Sequence, residues 1–151
     1  MKKISEESAQ FITKILTLAN GQPIVNMSNG TLKFNFCKDG EYEPCDFETP
    51  EGSGYGFFLT EYYFTALRWE KLFTMHFIVI VKEGQKYPMG FYPSYMGVHG
   101  GIGEWCLEIE DLVRLTANEQ LQSIYCKFAD SWLHQIARMG FLNGEVEVRS
   151  Y

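Results

Sequence analysis

The stretch LFTMHFIVIV, residues 72–81, is the clearest strand in the sequence and decides how the other segments are arranged around it. It is rich in β-branched and aromatic residues, which favour extended backbone. It is also apolar at successive positions, so both of its faces are expected to be covered. The sequence therefore predicts that Leu72 to Val81 is a central strand of a sheet.

The segments beside this strand are predicted to pair with it. Phe57 to Leu67 reads FFLTEYYFTAL and favours a strand, although a short helix capped by Thr60 is an alternative. After the polar turn KEGQK at residues 82–86, Tyr87 to Tyr92 is expected to return as a neighbouring strand, with Pro88 near its start.

Further strands are predicted towards both ends of the chain. Residues 32–36 alternate between apolar and polar, and the Asp39-Gly40 pair that follows is typical of a two-residue hairpin turn. Alternation over residues 104–109 indicates another strand after a glycine-rich segment. The tail GEVEVRSY, residues 144–151, alternates in the same way and is expected to form a short edge strand.

Two helices are predicted, one near each end of the chain. Residues 5–19 carry apolar side chains at helical spacing, with Ser5 as the cap. The second and longer helix follows the capping box Thr116-Ala117-Asn118-Glu119 and is expected to stop at Gly140. Its predicted apolar stripe consists of Leu121, Ile124, Tyr125, Phe128, Trp132, Ile136 and Met139.

Strands grouped between two terminal helices predict an α+β fold, in which a mainly antiparallel sheet packs against the N-terminal and C-terminal helices. The chain has 151 residues, which is the usual size of one globular domain, so residues 1–151 are expected to form a single domain.

Charge and composition exclude several classes of partner and cofactor. The formal net charge of -6 and the lack of any basic run argue against nucleic-acid binding. The longest apolar run, FIVIV at residues 77–81, is too short to span a bilayer, and we expect a cytoplasmic protein without a membrane contact. The four cysteines form no Cys-x-x-Cys pair, so no metal site and no cofactor is predicted.

The glycine-rich segment YPSYMGVHGGIGEW, residues 92–105, matches neither a dinucleotide-binding nor a Walker fingerprint. Its His-Gly-Gly stretch resembles the oxyanion segment of esterases, but no Gly-x-Ser-x-Gly elbow accompanies it. A turn between two strands explains the glycines most simply, because glycine tolerates positive φ. We expect the side chains beside them to rim a contact site: Tyr92, Tyr95, His99 and Trp105.

The acidic segment KDGEYEPCDFETPEGSGYG, residues 38–56, is predicted to be a long surface loop because it is rich in proline, glycine and carboxylates. Its spacing does not fit an EF-hand. The alternatives are a solvated loop that aids solubility, a surface that docks on a basic partner protein, a site for a hard cation, and a mimic of nucleic-acid phosphates. For the second alternative the candidate residues are Glu41, Glu43, Asp46 and Glu48.

Cys126, Asp130 and His134 are four residues apart in the second helix and are expected to form one ridge beside its apolar stripe. Eight helical residues separate Cys126 from His134 by about 12 Å, which is too far for proton transfer between them. They are therefore not a self-contained triad, and we interpret them as a solvated face with an i,i+4 pair and a half-buried thiol.

A histidine elsewhere offers Cys126 a partner through a family resemblance. His76 lies in the strand predicted over residues 72–81, Gly90-Phe91-Tyr92-Pro93 follows as a return, and Cys126-Lys127-Phe128-Ala129 comes later. Over residues 75–141 this order resembles circularly permuted papain-like cysteine hydrolases of the NlpC and lecithin:retinol acyltransferase types. The resemblance implies Cys126 as the nucleophile and His76 as the base. Tyr125 stands where that family usually has Asn, and the capping box places Cys126 well inside the helix.

Two functional hypotheses follow from the sequence. The leading one is a small accessory or inhibitor protein without enzymatic activity that binds another protein through the acidic segment and the aromatic, glycine-rich rim. The competing hypothesis is a thiol hydrolase, an amidase or acyl transferase, that uses Cys126 and His76.

Overall fold

Helices and strands of both predicted kinds are present in the computed structural model, which describes residues 1–20, 33–38, 41–48, 56–65, 68–80, 88–98, 101, 103–110, 114–138 and 146–150. Within these ranges the helices are α1 (Glu6–Asn20) and α2 (Glu119–Arg138). The strands are β1 (Lys33–Lys38), β2 (Glu41–Glu48), β3 (Gly56–Thr65), β4 (Arg68–Ile80), β5 (Gly90–Val98), β6 (Glu104–Trp105), β7 (Leu107–Glu110), β8 (Arg114–Ala117) and β9 (Val146–Ser150). The predicted α+β class is confirmed.

Among the described residues, seven strands form one sheet in the order β6-β5-β4-β3-β2-β1-β9, and β7 and β8 form a separate pair. All neighbouring strands are antiparallel. The strand that contains LFTMHFIV is β4, and it has β3 on one side and β5 on the other. Its predicted central place is therefore confirmed, as is the edge position of the C-terminal strand β9.

The predicted acidic loop is wrong over residues 41–48, because Glu41–Glu48 is strand β2. Strands β1 and β2 pair in the antiparallel sense, with Lys38 opposite Glu41, as a hairpin requires; the predicted turn residues Asp39 and Gly40 themselves lie outside the described residues. Strand β2 is then hydrogen-bonded on its other side to β3. Two neighbouring ladders outweigh the low strand propensity of proline and carboxylate residues, since strand preference depends strongly on context.

The glycine-rich region also differs from its predicted form. Strand β5 continues to Val98, beyond the expected end at Tyr92. The expected strand over residues 104–109 is interrupted at Cys106 into β6 and β7, which belong to different sheets. Residues 99, 100 and 102, where the chain connects β5 to β6, lie outside the described residues.

Helix α2 begins two residues later than the predicted capping box implies. Thr116 belongs to β8, where it pairs with Glu108, and Asn118 is the cap because its Oδ1 accepts a hydrogen bond from Leu121 N at 3.1 Å. Asparagine is as good a cap as threonine, so pairing of Thr116 in a strand costs the helix little. The cap predicted at Ser5 is confirmed, because Ser8 N donates to Ser5 Oγ at 3.2 Å.

The main core lies between the two helices and one face of the sheet, here called the helix face. It is formed by Ile12, Ile15, Leu16, Phe57, Leu59, Phe73, Met75, Phe77, Val79, Phe91, Cys126, Ala129, Trp132, Leu133 and Ile136, among others. On the opposite face, here called the open face, Ile78 and Tyr92 pack with Cys106 and Leu107. Strand β4 is thus apolar on both sides, as the sequence predicts.

The buried stripe of α2 is rotated from the predicted one. Ile124 and Phe128 are 59% and 43% exposed, whereas Gln122 and Cys126 are buried. The difference arises because residues 1–5 lie along α2 and cover its Gln122 side, as the contacts described below show.

Candidate functional site

Four rings lie side by side on the open face and form one row across four strands. The register pairs Phe58 with His76, His76 with Tyr95, and Tyr95 with Trp105. The ring centroid of His76 is 4.6 Å from that of Phe58 and 5.2 Å from that of Trp105, and Tyr95 and Trp105 are 4.8 Å apart. We call these four residues the aromatic cluster. Directly opposite residues in adjacent strands share a face, which explains how distant parts of the sequence meet here.

The rings of the row differ in their exposure to solvent. His76 is 6% exposed, whereas Trp105 is 44% exposed. Phe58 and Tyr95 are partly buried between these limits. The cluster is therefore anchored in the sheet at its centre and presents its indole to the surface at the short strand β6.

A β-bulge positions the histidine. The register pairs His76 with Tyr95 but Phe77 with Pro93, so Ser94 is an extra residue in β5. The Ser94 hydroxyl donates to the carbonyl oxygen of His76 at 3.1 Å, and the same Oγ lies 2.5 Å from Nδ1 of that ring. Because a hydroxyl has one proton to donate, Nδ1 must be the donor in the second contact. The imidazole therefore carries a proton on Nδ1.

Burial keeps this imidazole neutral. Loss of hydration disfavours the charged form and lowers the pKa of His76 to about 4. At neutral pH the aromatic cluster consequently contains four uncharged rings. As a base, a histidine with such a low pKa is weak under ordinary conditions.

Glycines make room for two of these rings. A Cβ at Gly56 would lie 2.5 Å from Cε1 and Nε2 of His76, and one at Gly103 would overlap the Tyr95 hydroxyl. A Cβ at Gly97 would lie 2.8 Å from the same hydroxyl oxygen. The glycine-rich segment is expected from its sequence to supply positive φ, but Gly97 and Gly103 do not adopt it. These two glycines are needed because the ring of Tyr95 lies close to their backbone.

Replacement of Gly56 by alanine is expected to lower the free energy of unfolding by about 1–3 kcal/mol, the usual cost of overpacking. The new Cβ would also lie 2.7 Å from the backbone oxygen of Phe77, which cannot rotate away. Urea unfolding of the purified variant measures the change. Gly101→Ala is the control, because its nearest heavy atom would be 3.4 Å away. Equal stability of the two variants would show that His76 is not packed on Gly56.

The four predicted rim residues do not all lie at one site. Tyr95 and Trp105 belong to the aromatic cluster. Tyr92 does not reach the surface, since it is buried and its hydroxyl donates to the oxygen of Pro88 at 2.6 Å. His99 lies outside the described residues.

The four candidate carboxylate residues are all in strand β2 but do not occupy equivalent positions. Glu48 pairs with Phe58, and Asp46 pairs with Thr60 two positions along the strand. Glu48 is therefore the residue of β2 that continues the row of the aromatic cluster. Glu41 pairs with Lys38 at the hairpin end, and Glu43 falls where the register between β1 and β2 is irregular.

Cys126 and His76 are on opposite faces of the sheet. Cys126 packs in the main core with Met75 and Phe77, and successive residues of a strand alternate between faces. His76 lies between those two residues and contacts Phe58 and Trp105 on the open face. The structure does not bring the two candidate catalytic side chains together, and these contacts give the hydrolase hypothesis no support.

The environment of Cys126 is that of a structural thiol. It lies well inside α2, as predicted, and burial together with the nearby Asp130 carboxylate raises its pKa to about 11. Its Sγ donates to the carbonyl oxygen of Lys3 at 3.0 Å. A thiolate is the reactive form of cysteine, so this contact and this pKa both disfavour nucleophilic chemistry.

The predicted ridge exists, but its members bind the N-terminal segment rather than each other. We call residues 1–5 the N-terminal strap. Gln122 Oε1 accepts from Lys2 N at 2.7 Å, and its Nε2 donates to Lys2 O at 2.5 Å. One turn later comes the Cys126 contact with Lys3, and after another turn Asp130 Oδ1 accepts from Ser5 N at 2.9 Å.

The expected i,i+4 pair is replaced by contacts with α1. His134 Nδ1 lies 3.3 Å from Glu7 Oε1, so the ridge continues from the strap onto the first turn of α1. Gln122 was missed from the sequence because its side chain is polar and lies outside the apolar stripe. Its spacing of four residues from Cys126 was the available signal.

In the part of the chain that the structure describes, no group of three or more His, Cys, Asp or Glu residues is placed to hold a metal ion. Neither described helix is long and apolar enough to cross a membrane. Comparisons of the chain with protein-family models, with curated proteins and with solved structures gave no match.

Proposed function

We propose that the chain is a non-enzymatic, cytoplasmic accessory or inhibitor protein that binds another protein through the aromatic cluster. The observation that carries this proposal is the exposed indole of Trp105, held in a continuous row of rings by the register of four strands. Tryptophan and tyrosine are the side chains that most often dominate the binding energy of protein interfaces.

Rigidity supports this assignment. His76 is fixed by Ser94, and Tyr95 is fixed between glycines and Trp105. Side chains that are ordered before binding lose little conformational entropy on contact with a partner. The surface is thus prepared for binding in a way that an isolated exposed residue is not.

Position in the sheet supports it as well. Trp105 lies on the two-residue strand β6 at one edge of the seven-stranded sheet, where a partner can approach from the side. Glu104, the preceding residue of β6, is also exposed at this edge.

A photocrosslinking experiment tests the proposal. A benzophenone amino acid is placed at position 105 and, in a matched protein, at position 128, where Phe128 is exposed to almost the same extent but lies on α2. We expect a discrete adduct from position 105, identified by mass spectrometry and then bound as a purified protein, and none from position 128. Adducts that are the same from both positions, or none from position 105, would overturn the proposal.

A further inference from the structure

We propose that the chain forms a two-fold symmetric dimer in which strand β9 pairs with β9 of a second copy, so that the two sheets become continuous. Among the described residues, β9 is hydrogen-bonded to β1 on one side and has no strand on the other. Such an edge presents a row of backbone N–H and C=O groups that can pair with another strand. The aromatic cluster reaches the opposite edge of the sheet at β6, so this dimer leaves it accessible.

The two edges of the sheet differ in their capacity to accept a further strand. Strand β6 has two residues, whereas β9 has five, and all five pair with β1 without a bulge. Proteins commonly protect an edge strand by making it very short, by a bulge, or by proline and lysine residues. The sequence of β9, VEVRS, contains neither proline nor lysine. Strand β9 is therefore the edge that can accept a partner strand.

The charges of β9 are self-complementary in one antiparallel register. If the two-fold axis passes through Val148, all five residues of β9 are paired, and Glu147 of each copy lies opposite Arg149 of the other. Opposite charges at directly paired positions stabilise antiparallel strands, and like charges destabilise them. An axis through Glu147 or Arg149 would pair two glutamates or two arginines and would include fewer residues. Charge and strand length thus select the same register.

This register also keeps the two faces of the sheet continuous across the axis. Val148 pairs with Phe36, and the register through β2 and β3 places this row on the same face as Phe73 of the main core. Val148 therefore occupies a position on the helix face, and Glu147 and Arg149 occupy positions on the open face. A two-fold axis perpendicular to the sheet preserves these faces, so valine is opposite valine at the axis.

Within one copy, the charges of β9 are opposite uncharged residues of β1. Glu147 pairs with Cys37, and Arg149 pairs with Asn35. Pairing of β9 with β1 therefore does not depend on the sign of either charge. Reversal of one charge changes the proposed contact between the copies without creating a directly opposed pair of like charges inside the monomer.

Charge reversal tests the pairing. The molar mass is measured as a function of protein concentration by sedimentation equilibrium for the wild type, Glu147→Arg, Arg149→Glu, and the double variant that carries both changes. Each single variant places like charges at both charged pairs of the interface, so we expect the dissociation constant of the dimer to rise by about tenfold or more. The double variant exchanges the two charges and should dimerise like the wild type.

An equimolar mixture of the two single variants provides a second measurement. One variant carries two arginines in β9 and the other carries two glutamates, so a mixed dimer restores both pairs of opposite charge. We expect the mixture to dimerise with about the affinity of the wild type, and circular dichroism verifies that each variant folds. A wild type that is monomeric up to about 1 mM would overturn the proposal. Unchanged dimerisation of the single variants, or no recovery in both the double variant and the mixture, would overturn it as well.

Discussion

Replacement of Gln122 by alanine is expected to lower the free energy of unfolding by about 2–4 kcal/mol. Gln122 is 0% exposed, and its side chain satisfies both the N–H and the C=O of Lys2. The two hydrogen bonds are part-buried, and one hydrogen bond contributes about 0.5–1.5 kcal/mol to stability. The cavity that the buried side chain leaves behind adds to this loss. Urea unfolding monitored by circular dichroism measures the difference.

The control for this prediction is Gln120→Ala. Gln120 lies two residues earlier in the same helix, and its side chain is exposed. It should change the stability by no more than about 0.5 kcal/mol, as is usual for surface substitutions. Hydrogen exchange should show faster exchange of the Ile4 amide, which donates to Phe91 O, in the Gln122 variant alone. Equal stability of the two variants would show that the N-terminal strap is not held by this side chain.

Acidification is expected to remove about 3 kcal/mol of stability through His76 as the pH falls to 4. The pKa of His76 is about 4 in the folded protein, compared with 6.5 for an ordinary histidine. Below pH 6.5 the unfolded chain takes up a proton at this residue and the folded chain does not. The stabilisation is therefore complete above pH 6.5 and is lost as the pH falls towards 4, at about 1.36 kcal/mol per unit of pKa difference.

A comparison of variants separates the contribution of His76 to the pH dependence of stability from the contribution of the carboxylates. Unfolding free energies are measured between pH 7 and pH 4 for the wild type and for His76→Asn, whose amide can replace Nδ1 as the donor to Ser94. The decrease of the unfolding free energy with falling pH should be smaller in His76→Asn. It should stay as in the wild type in His134→Gln, which changes an exposed histidine. In the wild type, the NMR signal of the His76 ring should stay constant down to about pH 5. A titration near pH 6.5 would contradict the buried, neutral assignment.

Elements of regular pattern could be predicted from the sequence alone. The apolar run of β4, the alternation in β1 and β9, and the Ser5 cap each depend on a few adjacent residues, and each is confirmed. The acidic strand β2 could not be predicted in this way. Its stability comes from pairing with β1 and β3, and composition alone does not reveal such neighbours.

The aromatic cluster illustrates the same limit at the level of the site. Tyr95 and Trp105 were candidates because glycines surround them, but Phe58 and His76 were not associated with them. Only the register across β3, β4, β5 and β6 brings the four rings into one row. That register includes a bulge at Ser94, and a shift of one residue would move His76 to the other face.

For the ridge that contains Cys126, the sequence predicted the geometry correctly but not the contacts. Helical spacing places Cys126, Asp130 and His134 on one line, as expected. Their partners are backbone and side-chain groups of Lys3, Ser5 and Glu7, which are more than a hundred residues away in the sequence. No local pattern indicates such a contact, and the sequence therefore predicted a solvated face with an i,i+4 pair.

A single binding measurement distinguishes the aromatic cluster from the thiol as the functional group. The partner identified by crosslinking is titrated against the wild type, Trp105→Ala and Cys126→Ser, where serine can keep the hydrogen bond to Lys3. We expect Trp105→Ala to raise the dissociation constant by about tenfold or more, as loss of a central aromatic residue does, and Cys126→Ser to change it less than about twofold. Loss of binding in Cys126→Ser together with full binding in Trp105→Ala would contradict the assignment of function to the aromatic cluster.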